Sequence, residues 1–192
     1  YIADQRVGYL KDYMCQALTR CPNYFSISAR HVVLSASAQT PEQRSEVLDE
    51  VVQQLVEQGV IEHYLGEVYP VTGTGRAQVL AKLDRGSAAY FGIKTYGQHL
   101  NGYVSTADSL QMWTARRAPE RIHFPNMLDN LVAGGLPENL SLEINLLKEC
   151  REEADIPAEL ADRAVLVGAV TYCRESVRGL KPDVMYCYDL EL

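Results

Sequence analysis

Glu149, Glu152 and Glu153 stand in the run "LKECREEADIP" at spacings of i, i+3 and i+4. An α-helix turns about 100° per residue, so these three positions share roughly one third of its circumference. Three carboxylates on one face repel one another, at about 0.2–0.5 kcal/mol per pair in an isolated helix. Lys148 and Arg151 offset part of that cost. A divalent cation reverses its sign. Hard oxygen donors suit Mg²⁺, with Mn²⁺ as the alternative ion, and Mg²⁺ commonly shares its shell with waters and substrate phosphates. Clustered glutamates therefore point to chemistry on a diphosphate, in which a metal-bound water attacks phosphorus. The glycine pair Gly134 and Gly135 precedes the helix and lets backbone approach a ligand closely, with the Gly134 carbonyl as a further donor. The competing reading is a solvated acidic face, and E-x-x-E-E alone does not separate the two.

Such a face needs a helix that is fixed from behind. Ile144, Leu147, Cys150 and Ala154 fall on the broadly opposite side and predict a packed face for a helix over residues 142–155. Cys150 is on that packing side and reads as core. Strands are expected on either side of the helix. "HLNGYVS" and "SLQMWTARRA" read as two strands joined by a turn at Thr106, Ala107 and Asp108, and "MLDNLVAGG" as a strand ending in the glycine pair. "AVLVGAVTYCRES" and "PDVMYCYDLEL" read as two more.

Residues 1–94 read as a separate α+β domain, with residues 95–192 as the domain that carries the acids. The first domain's clearest element is "TPEQRSEVLDEVVQQLVEQG". Thr40 can N-cap it, Pro41 fits the first helical position, Gln43 suits a capping box, and Gly59 is a stop. "KDYMCQALTR" predicts a short helix, "YIADQRVGYL" a short strand and turn, and "VIEHYLGEVYPV" a strand with a turn at Gly66. No catalytic pattern is visible in this half; His31 and His63 lack partners at ligand spacing.

Composition narrows the function classes. Apolar residues make up 47% of the 192, enough for a packed core. A net charge of -7 argues against non-specific nucleic-acid binding, which needs a cationic surface. No apolar run reaches the roughly 20 residues of a membrane span. The five cysteines form no C-x-x-C pair and suit reduced thiols in a cytosol-like compartment. No signal peptide is visible, although the sequence opens on Tyr1 and not on Met. A cytoplasmic location is expected, or a plastid or other organelle in a eukaryote.

"GGLPENLSLEINLLKECREEADI" resembles a Nudix box, G-x5-E-x7-R-E-U-x-E-E-x-G-U with U aliphatic. Gly134 takes the first position, and Glu149, Cys150, Glu152, Glu153 and Ile156 follow in register. Leu140 replaces the first Glu, Lys148 the Arg, and Asp155 the late Gly; Lys148 keeps charge without the guanidinium fork. "FGIKTYGQHLNGYV", "MLDNLVAGGL", "VGAVTYC" and "GLKPDVMYCYDLEL" together resemble the Nudix subfamily related to thiamine pyrophosphokinase, in which Leu-Ser after the glycine loop and Lys-Glu-Cys in the box are usual.

The resemblance implies an α/β/α Nudix sandwich with a mixed sheet, preceded by a small α+β domain. It also implies an enzyme, a Mg²⁺-dependent pyrophosphohydrolase. The expected substrate is a small-molecule diphosphate, thiamine diphosphate or its oxidised forms, with release of a monophosphate. Glu149, Glu152 and Glu153 would bind metal with Gly134, and Lys148 would orient an acid. Family members usually continue past "YDLEL" with a helix and more strand, so part of the Nudix fold is expected beyond Leu192.

Arg116 and Arg117, on a predicted strand, and Lys181 and Asp183, at a strand entrance, are further substrate-binding candidates. Alternation sends the two arginines to opposite faces. Trp113, Tyr103 and Tyr172 could stack on a ring, while His99 and His123 lack a nucleophile partner. One rival is a Nudix-fold module that binds a phosphorylated ligand without cleaving it. Another is isomerisation of isopentenyl diphosphate, which wants a cysteine near the glycine loop; none lies between Cys21 and Cys150. A homodimer is compatible with each reading.

Overall fold

A computed structural model describes residues 1–121 and 124–192. Its two compact units are Tyr1–Thr95 with Tyr172–Asp183, and Tyr96–Thr171 with Val184–Leu192.

The first unit runs α1 (Asp12–Leu18), β1 (Phe25–Ile27), β2 (Val32–Leu34), α2 (Pro41–Glu57), β3 (Val68–Thr72), β4 (Val79–Asp84) and α3 (Ala88–Phe91). The capping box expected for α2 is present. Gln43 N–H donates to Thr40 Oγ1 at 3.3 Å, and Gln43 Oε1 accepts from Thr40 N–H at 3.3 Å. Leu48, Val51, Val52 and Leu55 of α2 are buried in a core shared with Met14 and Leu18. β3 and β4 pair antiparallel, as do β1 and β2.

Of two further strands expected in this unit, one does not form and the other forms only after its turn at Gly66, as β3. Residues 1–10 hold only an isolated bridge between Ile2 and Gln5, because Ala3 and Asp4 have φ of 46° and 61°, incompatible with an extended ladder. Upstream of β3, the Leu65 and Gly66 N–H groups donate to the buried Asp84 carboxylate at 3.0 and 2.8 Å. A side chain thus satisfies donors that a longer strand would have paired.

The second unit is built around β5 (Thr95–Ser105), β6 (Leu110–Met112), β7 (Ala115–Arg116), β8 (Leu128–Asp129) and β9 (Val132–Gly135). α4 (Leu142–Ala154), α5 (Ala158–Ala161), β10 (Val165–Glu175) and β11 (Leu180–Glu191) follow, with the part of β10 from Tyr172 and the part of β11 up to Asp183 belonging to the first unit. β5 and β6 form the expected hairpin, closed by Thr106 N–H to Ser109 O at 2.9 Å. β9 also lies antiparallel to β5, with Gln98 opposite Gly134 and His99 opposite Ala133.

β11 borders β5 in the strand order β10-β11-β5-β6. Asn101 Nδ2 donates to Asp189 Oδ1 at 2.9 Å, and Leu192 N–H donates to Tyr103 O at 2.8 Å. Partner numbers rise together, so β5 and β11 are parallel and the sheet is mixed. The mixed α+β class expected from the sequence is the one observed. Where one strand was expected over "MLDNLVAGG" there are two, β8 and β9. Asn130 sits between them, its N–H bonded to Asp129 Oδ1 and its Nδ2 to Asn101 Oδ1. The core joins Leu100, Val132, Leu146, Cys150, Ile156 and Leu190.

Candidate metal and diphosphate site

Ser141 caps α4, its hydroxyl accepting from Ile144 N–H at 3.2 Å. The helix buries Asn145, Leu146 and Cys150. Cys150 is core as expected, and burial pushes its thiol up to about 11. Ile144 was expected on this face but is 58% exposed. Asn145 takes the buried position because polar partners are waiting. Its Nδ2 donates to Gln98 Oε1 at 2.7 Å and to Gly135 O at 3.0 Å, while Gln98 Nε2 donates to Leu142 O at 2.7 Å. Both side chains are fully buried, and Asn145 Oδ1 has no partner among the described residues.

This packing turns Glu149 and Glu153, one helical turn apart, onto the edge of β9. Leu136 N–H donates to Tyr96 O, so in the alternating ladder Gln98 and Gly134 form the next bonded pair. Ala133 and Gly135 then direct their N–H and C=O groups away from β5. Two observed bonds agree: Ala133 N–H donates to Glu153 Oε2 at 2.8 Å, and Gly135 O accepts from Asn145. Glu149 folds directly over Gly134. A Cβ built there would lie 2.4 Å from Glu149 Cδ and 2.6 Å from its Oε2.

The electrostatics follow from this crowding. Burial pushes the Glu153 carboxyl above the ordinary carboxylate range, and Glu149 and Asp129 push the same way; the Ala133 N–H and Arg121 oppose them. Arg121 Nη2 lies 3.7 Å from Glu153 Oε1. Lys148 Nζ reaches Glu152 at 2.9 Å and Glu149 at 3.1 Å; its pKa is raised, chiefly by the bond to Glu152. Glu152 is the outermost of the three acids, 58% exposed.

A hard divalent ion fits this donor set in part. Two carboxylates meet at a strand edge that also presents the outward carbonyl of Ala133, and a cation there favours the charged form of Glu153 that burial, and after it the Glu149 charge, disfavours. Among the described residues, no three His, Cys, Asp or Glu side chains lie close enough together to hold a metal ion. The Gly134 carbonyl, engaged with Gln98 in the ladder, keeps one lone pair.

The other sequence candidates fall elsewhere. Arg117 Nη1 pairs with Asp129 Oδ2 at 2.6 Å, and Asp129 in turn acts on Glu153, so Arg117 borders the cluster. Arg116 donates to Asn126 O at 2.7 Å. Lys181 and Asp183 belong to the first unit. Lys181 Nζ lies 3.7 Å from Asp183 Oδ2, and Thr95 Oγ1 donates to Asp183 Oδ1 at 2.5 Å. Burial lowers the Lys181 pKa, and Asp183 opposes that. Trp113 and Tyr172 are exposed. His123 lies outside the described residues. Sequence reasoning missed Ala133, Gln98, Asn145 and Arg121. The period-two alternation of β9 after its register with β5 carries the signal for Ala133, but the register itself is a tertiary fact.

The chain is 40% identical over its whole length to Nudix hydrolase 20, chloroplastic, of Arabidopsis thaliana, covering 54% of it. It is 38% identical to Nudix hydrolase 24, chloroplastic, of the same plant, again over the whole chain and 53% of the relative. These relatives support the Nudix hydrolase family. The chain spans about half the length of these curated relatives. A family model described as a domain of unknown function (DUF4743) matches residues 1–95. The solved structure of DR0079 from Deinococcus radiodurans aligns with a TM-score of 0.44 at 19% identity, over 66% of this chain and 70% of that one.

Read as a Nudix sequence, one departure from the box has a local cause. Asp155, where the pattern has Gly, is the C-cap of α4 in the left-handed region with φ of 53°. The backbone there is the one glycine adopts most easily, and Asp is among the few other residues that tolerate it.

Proposed function

We propose that the chain carries the catalytic part of a divalent-metal-dependent Nudix pyrophosphohydrolase acting on a small-molecule diphosphate. The observation that carries this reading is the convergence of Glu149 and Glu153 on the outward edge of β9 at Ala133 and Gly134. Glu149 and Glu153, with the Ala133 carbonyl and an outer contribution from Glu152, would hold Mg²⁺ or Mn²⁺; Gly134 gives Glu149 its room. Bound there, the cation would neutralise charge on the diphosphate and supply a water of lowered pKa. Lys148 holds Glu149 and Glu152 by ion pairing. Asn145 and Gln98 fix the glycine backbone from the buried side. Arg117 and Arg121, on the rim, supply positive charge for a phosphate.

Thiamine diphosphate and its oxidised forms are the substrates to test first, because the segments from "FGIKTYGQHLNGYV" to "GLKPDVMYCYDLEL" resemble the thiamine-pyrophosphokinase-related subfamily. The relatives named chloroplastic favour a plastid location over a cytoplasmic one.

The test is Mg²⁺-dependent phosphate release from thiamine diphosphate, oxythiamine diphosphate and a panel of other diphosphates. Glu153→Gln is expected to lower release about a hundredfold or more, since it removes a charged ligand. Undiminished release by that variant would sink the site assignment. The second reading, a module that binds without cleaving, draws on the absence of three converging side-chain donors among the described residues. Saturable binding of the diphosphates with no release under any divalent ion would decide for it.

A further inference from the structure

We infer that the first unit holds a binding site of its own for a small aromatic anion. A cavity of about 530 Å³ opens there, and all its lining residues belong to this unit. That volume lies within the roughly 300–1,000 Å³ of small-molecule sites. Its floor is apolar, built by the buried side chains of Leu18, Phe25, Leu34 and Leu83. Its mouth is cationic: Arg6 and Arg30 line it with His31, against the single carboxylate of Asp12. Among the described residues neither arginine has a carboxylate within ion-pair distance.

One wall is rigid. A Cβ at Gly8 would lie 2.3 Å from Phe91 O, and one at Gly92 2.1 Å from Tyr9 O, so these two backbone segments touch directly. Backbone packed against backbone, not side chains, sets the position of that wall. The Arg6 guanidinium stacks over the Tyr9 ring, 4.9 Å from its centroid, which positions the fork while leaving its edge free to donate to an anion. A flat apolar body on the floor with an anionic group between the two arginines satisfies both ends of the cavity. The site is independent of the carboxylate cluster and of any hydrolysis there.

The probe is 1-naphthyl phosphate, titrated calorimetrically into the whole chain in EDTA, with 1-naphthol and inorganic phosphate as single-feature controls. The expected result is one saturable site that binds the probe about tenfold or more tightly than either control, since a charge-assisted bond is worth about 1.5–3 kcal/mol. Arg6→Ala and Arg30→Ala should each weaken it by about tenfold. Ala29→Trp, at an exposed position on the lining, should block entry while leaving the thermal midpoint in place. No saturable binding, equal binding of 1-naphthol, or binding that survives both Ala29→Trp and Arg30→Ala would overturn the inference.

Discussion

A methyl group at Gly134 would collide with the end of the Glu149 side chain, not with backbone. Glu149 can swing aside, and Gly134 is not among the positive-φ residues, so the fold loses little. Gly134→Ala is therefore expected to change stability by less than about 1 kcal/mol. It should cost about 10–100-fold in Mg²⁺ affinity, because it displaces a ligand. Mn²⁺ titration followed by electron paramagnetic resonance checks the second number without a substrate, and unchanged affinity would refute the placement of Glu149. Across the ladder, His99 is half-buried opposite Ala133, and burial lowers its pKa while Asp129 opposes. The folded chain thus resists protonation at pH values where the unfolded chain accepts it. Below about pH 6.5 the unfolded state binds more protons, and stability falls as pH falls. Thermal midpoints between pH 8 and pH 5.5 should drop more for the wild type than for His99→Gln; parallel curves would refute this. At this scale the helix acids were legible because their spacing is local. Asn145 was not: its burial depends on Gln98 and on Gly135 O, which only the β5–β9 register brings to it.

The helix that carries the acids ends under mild strain. Asp155 holds φ of 53°, where an L-residue pays about 1 kcal/mol and glycine pays none. The compensation is small, since Arg151 and Asp155, paired at 2.7 Å, are both largely exposed, and such i, i+4 pairs give about 0.3–0.5 kcal/mol. Asp155→Gly is expected to stabilise the chain by about 0.5–1 kcal/mol, read as a shift of the urea midpoint at constant slope. A lower midpoint would mean that the ion pair outweighs the backbone. Elements with local signatures were readable in advance: α2 from its capping box and stop glycine, α4 from its apolar stripe, the β5–β6 hairpin from its turn. Expected strands failed over residues 1–10, where Ala3 and Asp4 leave extended geometry, and over residues 60–67, where Asp84 takes up the backbone donors. Both failures come from conformations and partners that alternation of apolar residues does not encode.

Over the whole molecule, the mixed sheet was legible as a class but its parallel β5–β11 pair was not, because that contact joins residues 88 positions apart. β10 is the most exposed of the long strands of this sheet. It is the terminal strand in the order β10-β11-β5-β6, and all 11 of its residues are exposed, Val165, Val167 and Val170 by more than half. Alternation puts Val165 and Val167 on one face and Val170 on the other, so both faces are exposed among the described residues. A long apolar strand at the edge of a sheet is a template for another chain. The 192-residue chain is therefore expected to self-associate through β10, with an apparent mass that rises with concentration in light scattering after gel filtration. Lysines at both Val167 and Val170 put charge on each face without touching the ladder, and should return the chain to monomer. Exposed sites of this kind tolerate substitution within about 0.5 kcal/mol, so the thermal midpoint should hold. A wild-type mass independent of concentration would show that the edge is protected in solution; association that survives both lysines would place the interface elsewhere.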